Sequence, residues 1–114
     1  MTKDEFRRLA LALPEAVESS HMGHPDFRVG GKIFAALDHA GVRATVKLTP
    51  DQQDVLMSAE PAMFAPCNGA WGMKGWTYLM LGAADEETAV SALRMAWRNT
   101  ATPKILARTG KAGS

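Results

Sequence analysis

The sequence predicts an α+β fold: one domain in which helices pack against an antiparallel sheet. The patterned segments follow the order helix, strands, helix, strand, helix, and only segment 49–58 could serve as the crossover that a parallel strand pair needs. A chain of 114 residues with 46% hydrophobic content is sufficient for one core. We therefore place the domain at residues 1–106 and predict that residues 107–114 form a flexible basic tail.

Three helices are predicted from the residues that begin them. The first opens with a capping-box spacing from Thr2 to Glu5, followed by apolar residues on one face. The second opens at Thr49 with a cap, a proline at the first helical position and a reciprocal glutamine. The third follows the acidic run 85–87, and its apolar stripe is formed by Val90, Leu93 and Trp97.

The strands are predicted between these helices. A weakly patterned extended piece covers residues 17–21, whereas residues 75–81 (GWTYLML) give a strong strand signal with apolar side chains on both faces. Residues 61–75 contain two prolines and three glycines, so we expect a long loop or an irregular wing there.

The glycine pair in the run FRVGGKIFAAL predicts a β-hairpin, whose loop length decides which side chains share a face. A two-residue turn at Gly30 and Gly31 would scatter the apolar residues over both faces. A three-residue loop, 29–31, places Arg28 opposite Lys32 and puts four apolar side chains on the core face, so we predict the longer loop. Those four side chains are Phe27, Ile33, Ala35 and Leu37.

The next turn, residues 38–41, places Val42, Ala44, Val46 and Leu48 on the same core face. In this register Ala36 lies beside Arg43, and Lys32 lies beside Lys47. The opposite face then carries cations around one aromatic ring. Cations that contact phosphates and a ring that stacks on a base are both features of single-strand nucleic-acid binding. A solvated sheet face of ordinary composition is the alternative. The residues predicted on this face are Arg28, Lys32, Phe34, Ala36, Arg43, Thr45 and Lys47.

Motifs for catalysis and metal binding are weak in this sequence. Gly30-Gly31-Lys32 lacks the glycine spacing and the following Ser or Thr of a phosphate loop. The spacing of His21, His24 and Asp26 matches no standard zinc site, and no flanking pattern activates Cys67 as a nucleophile. We therefore predict no enzyme activity, no cofactor and no metal site.

Composition favours the cytoplasm. The formal net charge is +1, so a polyanion site requires local clustering of cations. A single cysteine excludes an intrachain disulfide. No apolar run is long enough for a membrane span, and Asp4 and Glu5 do not fit a secretory signal.

Several patterns together resemble the MmcQ/YjbR family over residues from about Phe6 to Leu106. They are Leu13-Pro14-Glu15, the run from His21 through FRVGGKIFAAL, Val46-Lys47-Leu48 before a proline-opened helix, WGMKGWTYLML, and the helix ending in ALRMAW. These are hydrophobic and turn patterns, so the resemblance is specific for the fold. It implies a sheet similar to that of CyaY.

The resemblance also implies DNA binding, because the family carries a predicted label of a double-wing motif in which the wings are hairpins. The first wing would be residues 26–37 and the second would lie around residues 71–76. Met73 stands where some relatives have a polar residue, which removes a cation from the second wing. We expect Arg28, Lys32, Arg43, Lys47 and Lys74 to contact nucleic acid, and Phe34 and Trp71 to stack on bases.

The alternative is a small protein-interaction or ligand-binding module without nucleic-acid affinity. It requires an open apolar pocket beside Trp71 and Tyr78, or a homodimer that buries this surface. A protein partner or a homodimer stays open at this point.

Overall fold

Helices and strands follow one another along residues 1–109, the part of the chain that the computed structural model describes. In chain order they are α1 (Lys3–Leu11), β1 (Val17–His21), β2 (His24–Val29), β3 (Lys32–Leu37), β4 (Arg43–Lys47), α2 (Pro50–Ala59), β5 (Phe64–Pro66), α3 (Gly69–Met73), β6 (Trp76–Met80), α4 (Glu86–Thr100) and α5 (Pro103–Thr109). The strands form one sheet in the order β1-β2-β3-β4-β6-β5, and every neighbouring pair is antiparallel. The predicted α+β class is confirmed.

The predicted start of each long helix is confirmed by its cap. Thr2 accepts a hydrogen bond from the backbone of Glu5 at 3.1 Å, and the Glu5 side chain accepts one from the Thr2 backbone at 2.8 Å. Thr49 and Gln52 form the same reciprocal pair at α2, and the Asp85 side chain caps α4. Within residues 1–109, no helix combines the length and hydropathy needed to cross a membrane.

One face of the sheet carries the hydrophobic core. α4 packs on β3 and β4, and α1 packs on α4. Trp97 of α4 is fully buried, and its indole Nε1 donates a hydrogen bond to the Pro14 carbonyl at 2.9 Å. We call the opposite side of the sheet the outer face. The core side chains from the sheet include Phe27, Val29, Phe34, Ala35, Leu37, Ala44, Val46 and Leu79.

The turn of the β2–β3 hairpin has two residues, so the predicted three-residue loop is wrong. Gly30 and Gly31 have φ angles of 60° and 80°, the pair of positive values that a type I′ turn requires. Val29 therefore pairs directly with Lys32. Val29 points into the core, and the Lys32 side chain is exposed beside the turn.

A β-bulge explains how a two-residue turn keeps the apolar residues together. Arg28 pairs with Ile33, but Phe27 pairs with Ala35, so Phe34 is an extra residue in β3. The bulge sends both Phe34 and Ala35 into the core, where neither is exposed to solvent. Ile33 lies on the outer face instead. The predicted positions of Phe34 on the outer face and Ile33 in the core are therefore wrong.

The β3–β4 register is two residues away from the predicted one, because the connection is longer. Ala36 pairs with Thr45 rather than with Arg43. The Asp38 carboxylate holds the connection by accepting backbone hydrogen bonds from residues 41–43. Val42 lies in this connection and is more than half exposed, so its predicted core position is wrong.

Residues 61–75 contain more regular structure than the predicted loop. β5 is a short edge strand that pairs with β6, and α3 occupies the connection between them. The predicted second wing around residues 71–76 is therefore a helix followed by a strand, not a β-hairpin.

α5 continues to Thr109, so residues 107–109 of the predicted tail are helical. Ile105 is buried, and Arg108 forms two hydrogen bonds, of 2.7 and 2.8 Å, to the Glu15 carboxylate. A Cβ atom on Gly30 would lie 3.0 Å from the Ile105 side chain, so the hairpin turn packs against α5. Residues 110–114 of the predicted tail lie outside the described residues.

Candidate binding cleft on the outer face

Two short side chains, which lie beside Tyr78 in the middle of the outer face, form the floor of a cleft. Ala36, Thr45 and Tyr78 are register partners across three neighbouring strands. Because directly opposed residues point to the same side of a sheet, all three face outward. Ala36 and Thr45 are short and Tyr78 is large, so the surface drops between Tyr78 and the β1–β2 side of the sheet.

The resulting cavity has a volume of about 440 Å³ and an apolar wall over most of its surface. This volume is within the range of small-molecule pockets. We call it the aromatic cleft. Its lining residues are His21, Ile33, Ala36, Thr45, Cys67, Asn68, Trp71, Trp76 and Tyr78.

Two tryptophans form one wall of the aromatic cleft. Trp76 comes from β6 and Trp71 from α3, and their ring centroids are 5.9 Å apart at an interplanar angle of 81°. Trp71 is 61% exposed, which is unusual for so large an apolar side chain. An exposed aromatic ring next to a cavity is typical of a binding surface.

Backbone packing fixes α3, and with it Trp71, against the sheet. A Cβ atom on Gly72 would lie 1.9 Å from the Cys67 carbonyl oxygen, so only glycine permits this approach. The buried Gln53 side chain of α2 donates hydrogen bonds of 3.1 Å to the carbonyls of Gly72 and Trp76. The tryptophan wall is therefore held by both α2 and β6.

Three cations lie beside the aromatic rings of the cleft. The Arg43 guanidinium carbon is 3.9 Å from the centroid of the Tyr78 ring. Lys47 Nζ is 5.9 Å from the Trp76 centroid, and Lys74 Nζ is 5.4 Å from the Trp71 centroid. These distances are typical of cation–π contacts. Within residues 1–109, none of the three cations has a carboxylate at ion-pair distance.

A buried carboxylate organises the opposite side of the cleft. Asp26 is fully buried and accepts hydrogen bonds from Arg28 at 2.8 and 3.1 Å. His21 Nδ1 lies 2.8 Å from Asp26 Oδ2. Arg28 holds the pKa of Asp26 below its ordinary value, burial opposes this shift, and His21 adds to it. Because the ionised carboxylate has no proton to give, His21 Nδ1 is the donor.

The cations predicted to contact nucleic acid fall into two groups. Arg43, Lys47 and Lys74 lie around the aromatic cleft, and Lys74 is the C-cap residue of α3. Arg28 is on the outer face but is paired with Asp26, and Lys32 lies at the hairpin turn outside the cleft. The predicted cluster of four cations around one ring is therefore wrong, since the bulge changes the register.

The two residues predicted to stack on bases lie in different environments. Phe34 is 0% exposed and belongs to the core, so its predicted role in stacking is wrong. Trp71 is exposed and lines the cleft. The open apolar pocket beside Trp71 and Tyr78 that the ligand-binding alternative requires is present.

Cys67, His24 and His39 carry the remaining reactive groups near the sheet. Burial raises the pKa of the Cys67 thiol, although Thr45 and Arg43 lower it, so the thiol stays protonated at neutral pH. The rings of His24 and His39 are 4.4 Å apart at one end of the sheet. Within residues 1–109, no group of three or more His, Cys, Asp or Glu side chains is placed to hold a metal ion.

Sequence reasoning missed three features of the cleft: the contact between His21 and Asp26, the position of Cys67, and the place of Trp76 in the tryptophan wall. The contact between His21 and Asp26 depends on the pairing of β1 with β2, and the position of Cys67 depends on β5. The outward alternation of Trp76 and Tyr78 in the strand WTYLM was the signal that could have located the wall.

Comparison with known proteins gives the family and the fold. The YjbR family model matches residues 11–99. The crystal structure of protein DR2400 from Deinococcus radiodurans, a DUF419 domain, is similar to this chain with a TM-score of 0.75 and 22% sequence identity. The match covers 96% of this chain and 88% of that one. A search of curated proteins found no match. Since the family model covers most of the chain, the protein belongs to the YjbR family.

Proposed function

We propose that this protein is a non-catalytic binding protein that takes nucleic acid on the outer face of its sheet. The observation that supports this most is the set of three cations, each beside an aromatic ring of the same cleft. Cations neutralise phosphates, and aromatic rings stack on bases without regard to their sequence. This combination is typical of proteins that bind single strands.

The contact surface in this proposal differs from a pair of projecting wings. The β2–β3 hairpin is central in the sheet, with β1 and β4 on either side, and its turn packs against α5. Arg28 already shares its charge with Asp26. We therefore assign the phosphate contacts to Arg43, Lys47 and Lys74.

A titration at two salt concentrations tests the proposal. The affinity for a labelled single-stranded oligonucleotide should fall steeply between about 50 and about 200 mM salt, because bound phosphates release counterions. Replacing Lys47 and Lys74 by alanine should flatten the slope of log affinity against log salt by about 0.7 for each lysine.

Lys32→Ala is the matched control, since Lys32 is an exposed lysine outside the cleft. It should leave the slope unchanged. If the slope depends on Lys32 and not on Lys47 or Lys74, the phosphate contacts lie at the β2–β3 hairpin and not at the aromatic cleft. Absence of binding near roughly 50 mM salt would end the nucleic-acid proposal.

A second candidate function is the binding of a free, planar, anionic small molecule. The cavity volume of about 440 Å³ and its largely apolar wall favour it. In this case a small ring-bearing phosphate compound would bind the cleft, and the protein would have no affinity for oligonucleotides.

A further inference from the structure

We infer that the aromatic cleft holds one unpaired nucleobase, stacked against the tryptophan wall with its polar edge towards His21. This inference rests on the proposed nucleic-acid binding and names the form of nucleic acid that the site takes. It predicts a preference for single strands over a duplex of the same sequence.

The tryptophan wall is arranged to receive one ring. Trp71 and Trp76 meet at 81°, so a planar group stacked on the face of one ring presents its edge to the other. Both arrangements are favourable for aromatic pairs. The Tyr78 ring is covered more closely than theirs, because the Arg43 guanidinium carbon lies 3.9 Å from its centroid, whereas the lysine Nζ atoms lie 5.4 and 5.9 Å from the Trp71 and Trp76 centroids. The stacking surface is therefore provided by the two tryptophans.

His21 gives the cleft one hydrogen-bonding group of fixed orientation. The ionised Asp26 carboxylate accepts from Nδ1, and Arg28 keeps that carboxylate ionised and in place. In the tautomer that donates from Nδ1, Nε2 carries a lone pair, and this nitrogen has no hydrogen-bond partner within residues 1–109. An N–H group at the edge of a base matches this acceptor.

A duplex offers base-edge N–H groups only within its grooves, and it offers no free ring face for stacking along its length. Its bases are stacked on each other and paired along their polar edges, so a base must leave the helix before it can enter a cavity. A single strand presents its ring faces and edges at once. The cleft also has phosphate-binding cations at its rim in Lys47 and Lys74. A nucleotide with its base in the cavity and its phosphates at the rim contacts both the tryptophan wall and the two lysines.

Competition binding with the full chain tests the inference. A labelled single-stranded oligonucleotide is displaced by the unlabelled strand, by its duplex or by the matching mononucleotide. The single strand should compete best. Trp71→Ala should weaken single-strand binding by about 5- to 150-fold, the range for loss of one stacked base. Met73→Ala is the control, because Met73 is 83% exposed on α3 and does not line the cleft.

His21→Ala tests the polar edge, and His21→Gln, which keeps an acceptor, should recover part of the lost affinity. Equal competition by the duplex, or equal affinity of Trp71→Ala and Met73→Ala, would overturn the inference while nucleic-acid binding stands. A mononucleotide that competes as well as the strand would assign the cleft to free nucleotides and also overturn it. If the labelled single strand itself does not bind the protein, the proposed function is overturned.

Discussion

Asp26 connects the stability of the sheet with the chemistry of the cleft. Its carboxylate is fully buried, and it is shared between Arg28 on its own strand and His21 on the neighbouring strand. A buried charge is costly unless it is paired and hydrogen-bonded, and both conditions are met here. The same contacts orient the imidazole that faces the cleft.

The lowered pKa of Asp26 predicts a pH-dependent stability. In the unfolded chain the pKa of an aspartate is about 3.9, and the folded value is lower because Arg28 favours the ionised form. Asp26 therefore stabilises the folded state above the unfolded pKa, and this contribution is lost as the pH falls through the folded pKa. Asp26→Asn should be less stable than the wild type at pH 7, and the difference should shrink below about pH 4.

Urea unfolding at several pH values measures this difference in the free energy of unfolding. Asp54→Asn is the control, since Asp54 is exposed and forms no ion pair within residues 1–109. A loss in Asp26→Asn that stays constant from pH 7 to acid would contradict the role given to Arg28.

The β2–β3 hairpin shows which features of an element the sequence predicts and which it does not. The glycine pair predicts the turn, and the period-two pattern predicts that Phe27, Ala35 and Leu37 share the core face, as they do. The bulge at Phe34 carries no comparable signal, because two adjacent apolar residues fit either register. Its consequence is large, since it moves Phe34 inward and brings Ile33 to the cleft.

α3 depends on the close approach of Gly72 to the Cys67 carbonyl, which gives a prediction for this element. Gly72→Ala should destabilise the fold by about 1–3 kcal/mol or more, because the new methyl group would force α3 away from the sheet. Gly82→Ala is the control: a Cβ atom there meets no other atom within 4 Å. Its effect should stay within about 0.5 kcal/mol.

Denaturant unfolding of both variants, together with the indole N–H signal of the exposed Trp71, checks this prediction. If Gly72→Ala is as stable as Gly82→Ala and leaves Trp71 in an unchanged environment, the approach of α3 to Cys67 does not hold the tryptophan wall.

On the scale of the whole molecule, the sheet separates two tasks. Its inner face packs on α4 and forms the core, and its outer face carries the aromatic cleft with three cations around it. The caps and stripes of the sequence predict the helices and the core face, since these depend on residues close in the chain. The cleft depends on how distant strands align, which the sequence pattern alone leaves open.

The indole N–H signals of the three tryptophans offer the most direct measurement of where nucleic acid binds. In a nitrogen–proton correlation spectrum recorded during titration with a single-stranded oligonucleotide, the signals of Trp71 and Trp76 should shift. The Trp97 signal should not, because this indole is buried and bonded to Pro14. Shifts confined to Gly30, Gly31 and Lys32, or no shift of either cleft tryptophan at saturation, would contradict binding in the aromatic cleft.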